Sequence, residues 1–157
     1  LINARSESVL EKPSFRSAFR KRRCLIPSDG FYEWKKEGAG KQPYLIGMKK
    51  EDLFGIAGLW ETWNGPNGPM ATFTILTTSA NELVSHLHDR MPVILSRERF
   101  ADWLSPKEQD TGLLMSLLRP CPSEEMRAYA VSKAVNSTDR DSADLINPVK
   151  GDLSLSL

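Results

Sequence analysis

Histidine and cysteine are both scarce, two of each in 157 residues. Cys24 and Cys121 are too few and too far apart for a disulfide framework or a structural zinc site of the usual spacings. Such usage suits a reducing, cytoplasmic setting. No apolar run approaches the roughly 20 residues that cross a bilayer, and no signal-peptide pattern opens the chain, so no membrane partner is expected. An excess of one charge is missing too: 21 Lys+Arg against 20 Asp+Glu leave a formal net charge of +1. Any nucleic-acid surface must therefore come from local clustering. Repeats, low-complexity tracts and splitting linkers are absent, which points to a single domain over residues 1–157. Leu1 and Ile2 run straight into the polar Asn3, as if the chain were entered in mid-strand, so a missing N-terminal segment is expected.

What is present alternates between short helices and strands. Phe15, Ala18 and Phe19 recur at helical spacing among Arg16, Arg20, Lys21, Arg22 and Arg23, which predicts a basic amphipathic helix over 14–23 with Pro13 at its start. Residues 24–27 and 30–36 read as strands around a Pro-Ser-Asp-Gly turn, followed by a Gly-rich hairpin loop over 37–41. Strands are expected at 44–48, 54–60 and 72–77, separated by a charged turn near Glu51 and by Asn64-Gly65-Pro66-Asn67-Gly68-Pro69. Ser79 with Glu82 forms a capping box for a helix to about Leu87. A strand at 91–95, a helix over 97–104 capped by Ser96, another from Ser105-Pro106 to about Leu118, and a strand at 126–131 complete the pattern. Residues 131–132 and 135–136 read as a further strand and 137–144 as a polar loop. The class is α+β, an antiparallel sheet or open barrel with short flanking helices.

Few residues carry obvious chemistry. Glu33 lies in Gly30-Phe31-Tyr32-Glu33-Trp34, where aromatic neighbours of low dielectric would favour a protonated carboxyl and make it a candidate general acid; an ordinary solvent-facing strand Glu is the plainer alternative. His86 and His88 are spaced like two metal ligands on a strand, but no further His or nearby Cys completes a set, so no metal and no cofactor is expected. His88 beside Arg90 fits an acid/base or phosphate partner, or simply a helix C-terminal cap. Asn3-Ala4-Arg5-Ser6-Glu7 offers donors, acceptors and a guanidinium fork suited to phosphate. Cys24 reads as a buried strand cysteine and Cys121 as a loop thiol. Trp34, Trp60, Trp63 and Trp103 are core residues by default, with Trp60 and Trp63 near a loop where bases could stack.

Taken in order, Asn3 to Glu7, Arg22-Arg23-Cys24-Leu25-Ile26-Pro27-Ser28-Asp29-Gly30-Phe31-Tyr32-Glu33-Trp34, Phe73 to Asn81 and His88 to Leu95 resemble the SRAP (SOS response-associated peptidase) family. The Gly-Phe-Tyr-Glu-Trp and His-Asp-Arg-Met-Pro blocks are the most specific. The resemblance implies a single SRAP domain that lacks its N-terminal segment here. It also implies that the protein traps abasic sites in single-stranded DNA as a covalent crosslink. In that family the initiator Met is removed to expose a Cys, whose amine and thiol form a thiazolidine with the opened sugar.

On this resemblance Asn3, Glu33 and His88 are the catalytic set, while Arg5, Thr77 and Arg90 are the DNA-binding set. The implied partner is single-stranded DNA containing abasic sites. The full-length protein would be a monomer, cytoplasmic and, in a bacterium, nucleoid-associated. The N-terminal Cys is not in this sequence, and Cys24 has no free α-amine with which to replace it. A non-covalent single-stranded DNA binder and a peptidase acting beyond its own initiator Met are the rival readings; a metal-dependent hydrolase through His86 and His88 is a third.

Overall fold

The computed structural model describes residues 1–50, 53–106, 110–151 and 154–155. In chain order the elements are β1 (Asn3–Arg5), α1 (Pro13–Lys21), β2 (Arg23–Ser28), β3 (Phe31–Glu37), β4 (Gly40–Met48), β5 (Phe54–Gly65), β6 (Gly68–Ser79), α2 (Glu82–Ser85), β7 (Arg90–Pro92), β8 (Ile94–Leu95), α3 (Phe100–Leu104), α4 (Thr111–Ser116), β9 (Met126–Ala130) and β10 (Ser154–Leu155). Short 3-10 turns fill several of the connections. The fold is α+β, with two mostly antiparallel sheets and short helices, as the sequence pattern predicts. None of the helices among the described residues is long and apolar enough to cross a membrane.

The chain forms two compact units, each assembled from three segments. The first comprises Leu1–Ser28, Phe54–Ser79 and Met91–Cys121. Its sheet follows the order β1-β6-β5-β2, with β7 on β6 and β8 on β5. β5 and β6 pair from Gly65↔Gly68 down to Gly58↔Ile75 and then part. Val93 enters the gap: its N–H donates to Leu76 O at 2.9 Å, and its carbonyl accepts from Ala57 N at 2.8 Å. The stretch expected as one strand at 91–95 is thus two short strands joined at a residue that bonds both sides.

The core of this unit gathers Val9, Phe15 and Phe19 against Leu59, Leu76 and Trp103. Trp103 is fully buried, meets Phe19 edge-on at 5.8 Å, and donates its indole N–H to Cys24 O at 2.8 Å. Arg23, read as part of a basic helix flank, instead begins β2 and is buried. Its guanidinium donates to the carbonyls of Phe19, Arg20, Trp103 and Ser105 and lies 5.8 Å from the Trp103 ring. A planar cation with five donors satisfies helix-end carbonyls that water cannot reach.

The second unit comprises Asp29–Leu53, Ala80–Arg90 and Pro122–Leu157. Its sheet runs β10-β9-β4-β3. One face carries Ile46, Tyr44, Met126, Ala128 and Ala130, all buried, which is the alternation a one-sided sheet requires. The hairpin loop expected over 37–41 is tighter: Glu37 pairs with Gly40, leaving Gly38 and Ala39 to turn, with Gly38 at φ 56. In the first unit the expected 64–69 turn likewise shrinks to Pro66 and Asn67, with Gly68 at φ 102. Both glycines occupy left-handed space that a Cβ disfavours.

Other boundaries also move. Helix α2 is capped by Asn81, whose side chain accepts from Val84 N at 2.9 Å, because β6 runs on through Ser79. Ser96 precedes its helix without a side-chain cap bond and pairs with the Glu98 carboxylate instead. Residues 133–136, expected partly as strand, form a 3-10 turn in which the Ser132 hydroxyl accepts from Ala134 N, a local bond that competes with strand pairing. The start of the helix expected from Ser105-Pro106 and the turn near Glu51 fall partly outside the described residues; α4 begins at Thr111, capped by Asp110.

Candidate functional site

In the second unit Glu33 stands directly opposite Tyr44 on β4, with Ala130 next across the sheet. Directly paired residues share a face, so the Glu33 carboxyl belongs to the face that carries Tyr44, Ile46 and Ala130. Phe31 shares that side by alternation, whereas Tyr32 and Trp34 take the other, their rings 6.4 Å apart. The expectation of three aromatics around the carboxyl is therefore corrected to one neighbour on its own strand and a buried Tyr across from it. Burial still raises the Glu33 pKa; the positive charge of His88 and a bond from the Trp34 backbone pull it down, and Asp89 pushes it up again. Desolvation of this kind favours the protonated carboxyl.

His88 follows α2 in a loop pinned by its backbone. His88 N–H donates to Val84 O at 2.9 Å, and Ala80 N–H donates to Asp89 O at 3.0 Å. The imidazole Nδ1 accepts the Arg90 N–H at 3.0 Å and lies 3.2 Å from Asp89 Oδ1. Two elements of one unit, β3 and the loop after α2, thus bring Glu33 and His88 within electrostatic reach. Arg90 opens β7, half-buried.

In the first unit β1 runs parallel to β6 in the register Asn3↔Ile75, Ala4↔Leu76, Arg5↔Thr77. Ala4 and Leu76 are buried, so alternation turns Asn3 and Arg5 to the opposite, exposed face. The Thr77 hydroxyl donates to Ala4 O at 3.4 Å, and the Thr74 hydroxyl donates to Leu1 O at 2.7 Å. Asn3, Arg5 and Thr77 are brought together here, as Glu33 and His88 are in the other unit.

Other residues singled out in the sequence take different places. Trp103 is core, but Trp34, Trp60 and Trp63 are exposed. Trp60 pairs with Phe73 and Trp63 with Met70 on the β5–β6 hairpin. Cys24 is half-buried, with burial raising its thiol pKa, and Cys121 is buried, so neither is a primed nucleophile. Among the described residues no cluster of three or more His, Cys, Asp or Glu side chains is placed to hold a metal. Two features went unread in the sequence. Asp89 was legible only as the residue after His88. Asn136, which accepts the Trp34 indole N–H at 2.8 Å from 102 positions away, left no local signal.

The model of the family described as "SOS response associated peptidase (SRAP)" matches residues 1–138. The chain is 50% identical over 148 residues to the abasic site processing protein YoqW of Bacillus subtilis, covering 93% of this chain and 66% of that protein. It is 36% identical to the abasic site processing protein HMCES of Gallus gallus, over 94% of this chain and 50% of the relative. A crystal structure of a Bacteroides thetaiotaomicron protein superposes with a TM-score of 0.86 at 37% identity, covering 94% of this chain and 65% of that one. The chain therefore spans just under two thirds of the length of the Bacillus relative.

Proposed function

Because the chain belongs to the SRAP family, we propose that it supplies the acid, the imidazole and the phosphate-binding groups of a protein that crosslinks abasic sites in single-stranded DNA. The reactive cysteine, which needs both a thiol and a free α-amine, is neither Cys24 nor Cys121 and belongs to a part of the protein outside these residues. That part and this chain together make one SRAP domain.

The chemistry runs in three balanced steps. The closed abasic sugar opens to its aldehyde as a proton reaches the ring oxygen and another leaves the anomeric hydroxyl. The cysteine amine adds to the aldehyde and water departs, leaving a Schiff base. The thiol then adds to the imine carbon as the nitrogen takes up a proton, closing the thiazolidine.

The observation that carries this reading is the placement of Glu33 on the buried sheet face, its pKa raised by desolvation, with His88 in electrostatic reach. A carboxyl whose protonated form is favoured by burial is suited to deliver the proton to the sugar oxygen. His88, with Nδ1 engaged by the Arg90 N–H, has Nε2 left to meet sugar or phosphate. Arg5 and Arg90 act on phosphates of any sequence, Thr77 on β6 is a further DNA contact beside Arg5, and Asn3 orients the cysteine amine. The peptidase character in the family description is assigned to one event, removal of the initiator Met that exposes the cysteine. Single-strand preference rests on stacking surfaces such as the exposed Trp34.

The test is crosslink formation on abasic single-stranded DNA by the protein carrying its N-terminal cysteine, at saturating DNA. Glu33→Gln should slow the reaction by about 10²-fold with little change in binding. Crosslinking at the parental rate under saturation would remove Glu33 from the role of proton donor.

A further inference from the structure

His88 Nδ1 faces more partners than one protonation state can use. The Arg90 N–H donates to it at 3.0 Å, which requires a lone pair on Nδ1. Asp89 Oδ1 lies 3.2 Å from the same nitrogen and the Arg90 carbonyl 3.3 Å from it, and each of these can only accept, which requires a proton there. A neutral ring that accepts the Arg90 N–H, the shortest of the three contacts, carries its proton on Nε2. The imidazolium turns Nδ1–H to Asp89 and still carries a proton on Nε2. In both states the Nδ1 edge is occupied by the loop, and the Nε2 edge is the protonated one.

We infer that Asp89 is a positioning residue: its carboxylate holds the Nδ1–H of charged His88, as the Arg90 N–H holds the Nδ1 lone pair of the neutral ring, so that Nε2–H is the edge offered to sugar or phosphate. This rests on the proposed role of His88. Around the ring, Glu33 comes from β3, Asp89 and Arg90 follow on the same loop, and His86 precedes it by two residues. Asp89 also acts on Glu33, favouring the protonated carboxyl. The Asp89 backbone carbonyl also fixes the loop to Ala80.

The experiment has two arms. Nitrogen NMR of the full-length protein follows His88 Nδ1 and Nε2 from pH 5 to 8 in the parent, Asp89→Asn and Asp89→Glu. In Asp89→Asn the ratio of charged to neutral His88 at fixed pH should fall about two- to fivefold, the range expected for a solvent-exposed ion pair. Asp89→Glu should recover most of it, and 0.5 M salt should shrink the difference. Unchanged backbone amide shifts exclude a merely structural effect. An unchanged ratio in Asp89→Asn overturns the inference, as does a ratio that falls equally in Asp89→Glu.

The second arm measures the pH profile of crosslinking in the protein with its cysteine. In Asp89→Asn the acid-favoured limb, read at saturating DNA, should move to lower pH. If the NMR ratio shifts while the crosslinking profile stays, Asp89 still positions His88, and the role of His88 in the reaction is what fails.

Discussion

Glu33 and Tyr44 face each other across β3 and β4 on the buried side of their sheet, Tyr44 being only 2% exposed. Burial lifts the Glu33 pKa above its ordinary value of 4.5. It also sets the sign of its effect on stability. Between the unfolded and the raised folded pKa the folded state holds the proton more firmly, so stability is lost as pH rises through that window and levels off above it. Glu33→Gln removes this loss. Urea denaturation at pH 4 and pH 7 should find the stability gap between the variant and the parent moving in the variant's favour at the higher pH. A gap that moves the other way would mean the carboxylate is stabilised when charged.

Arg5 and Arg90 should behave differently from Glu33. Phosphate contacts hold ground state and transition state alike, so Arg90→Ala should weaken binding to single-stranded DNA and reduce the salt slope by about one contact. The crosslinking rate at saturation should change little. Arg5→Ala should act in the same way through β1. Equilibrium binding at several salt concentrations, beside single-turnover crosslinking, separates the two classes.

The 157 residues by themselves should form no covalent adduct with abasic DNA. Cys24 and Cys121 have no free α-amine, and burial raises the Cys24 thiol pKa. A denaturant-resistant shifted band would contradict this, and its loss in Cys24→Ala would identify the thiol responsible.

Arg23→Ala should be among the most destabilising single changes outside the apolar core. It strips donors from four carbonyls and opens space beside Trp103, at a cost of about 3 kcal/mol or more. Arg23→Lys should recover little, because three donors on a point charge cannot span the carbonyls that the planar fork reaches. Chemical denaturation measures both.

Gly58 lies where a Cβ would come within 2.2 Å of Ile26 Cδ1 and 3.0 Å of Thr74 O. Gly58→Ala should cost about 1–3 kcal/mol by overpacking. Ile26→Val, which removes that Cδ1, should recover part of it in the double variant, the remainder being the approach to the backbone oxygen. A double-variant cycle in urea reads the coupling directly.

The sequence by itself determined the identity of the acid and imidazole candidates, the α+β class and most element positions, because these depend on residue type, alternation and turn chemistry over a few neighbours. It also excluded a disulfide framework, since two distant cysteines cannot make one. Tertiary structure decided what depended on partners remote in the chain. It put Glu33 on the buried face with Tyr44, and Tyr32 with Trp34 on the other. It folded Arg23 inward onto Trp103 and Ser105, some 80 residues on, where a run of basic residues had read as a helix flank. It left Trp60 and Trp63 exposed on a hairpin longer than the turn residues suggested, and inserted Val93 between Ala57 and Leu76. Local preferences act over a turn or a strand, whereas burial of a side chain and pairing of a strand edge are fixed only when distant segments meet.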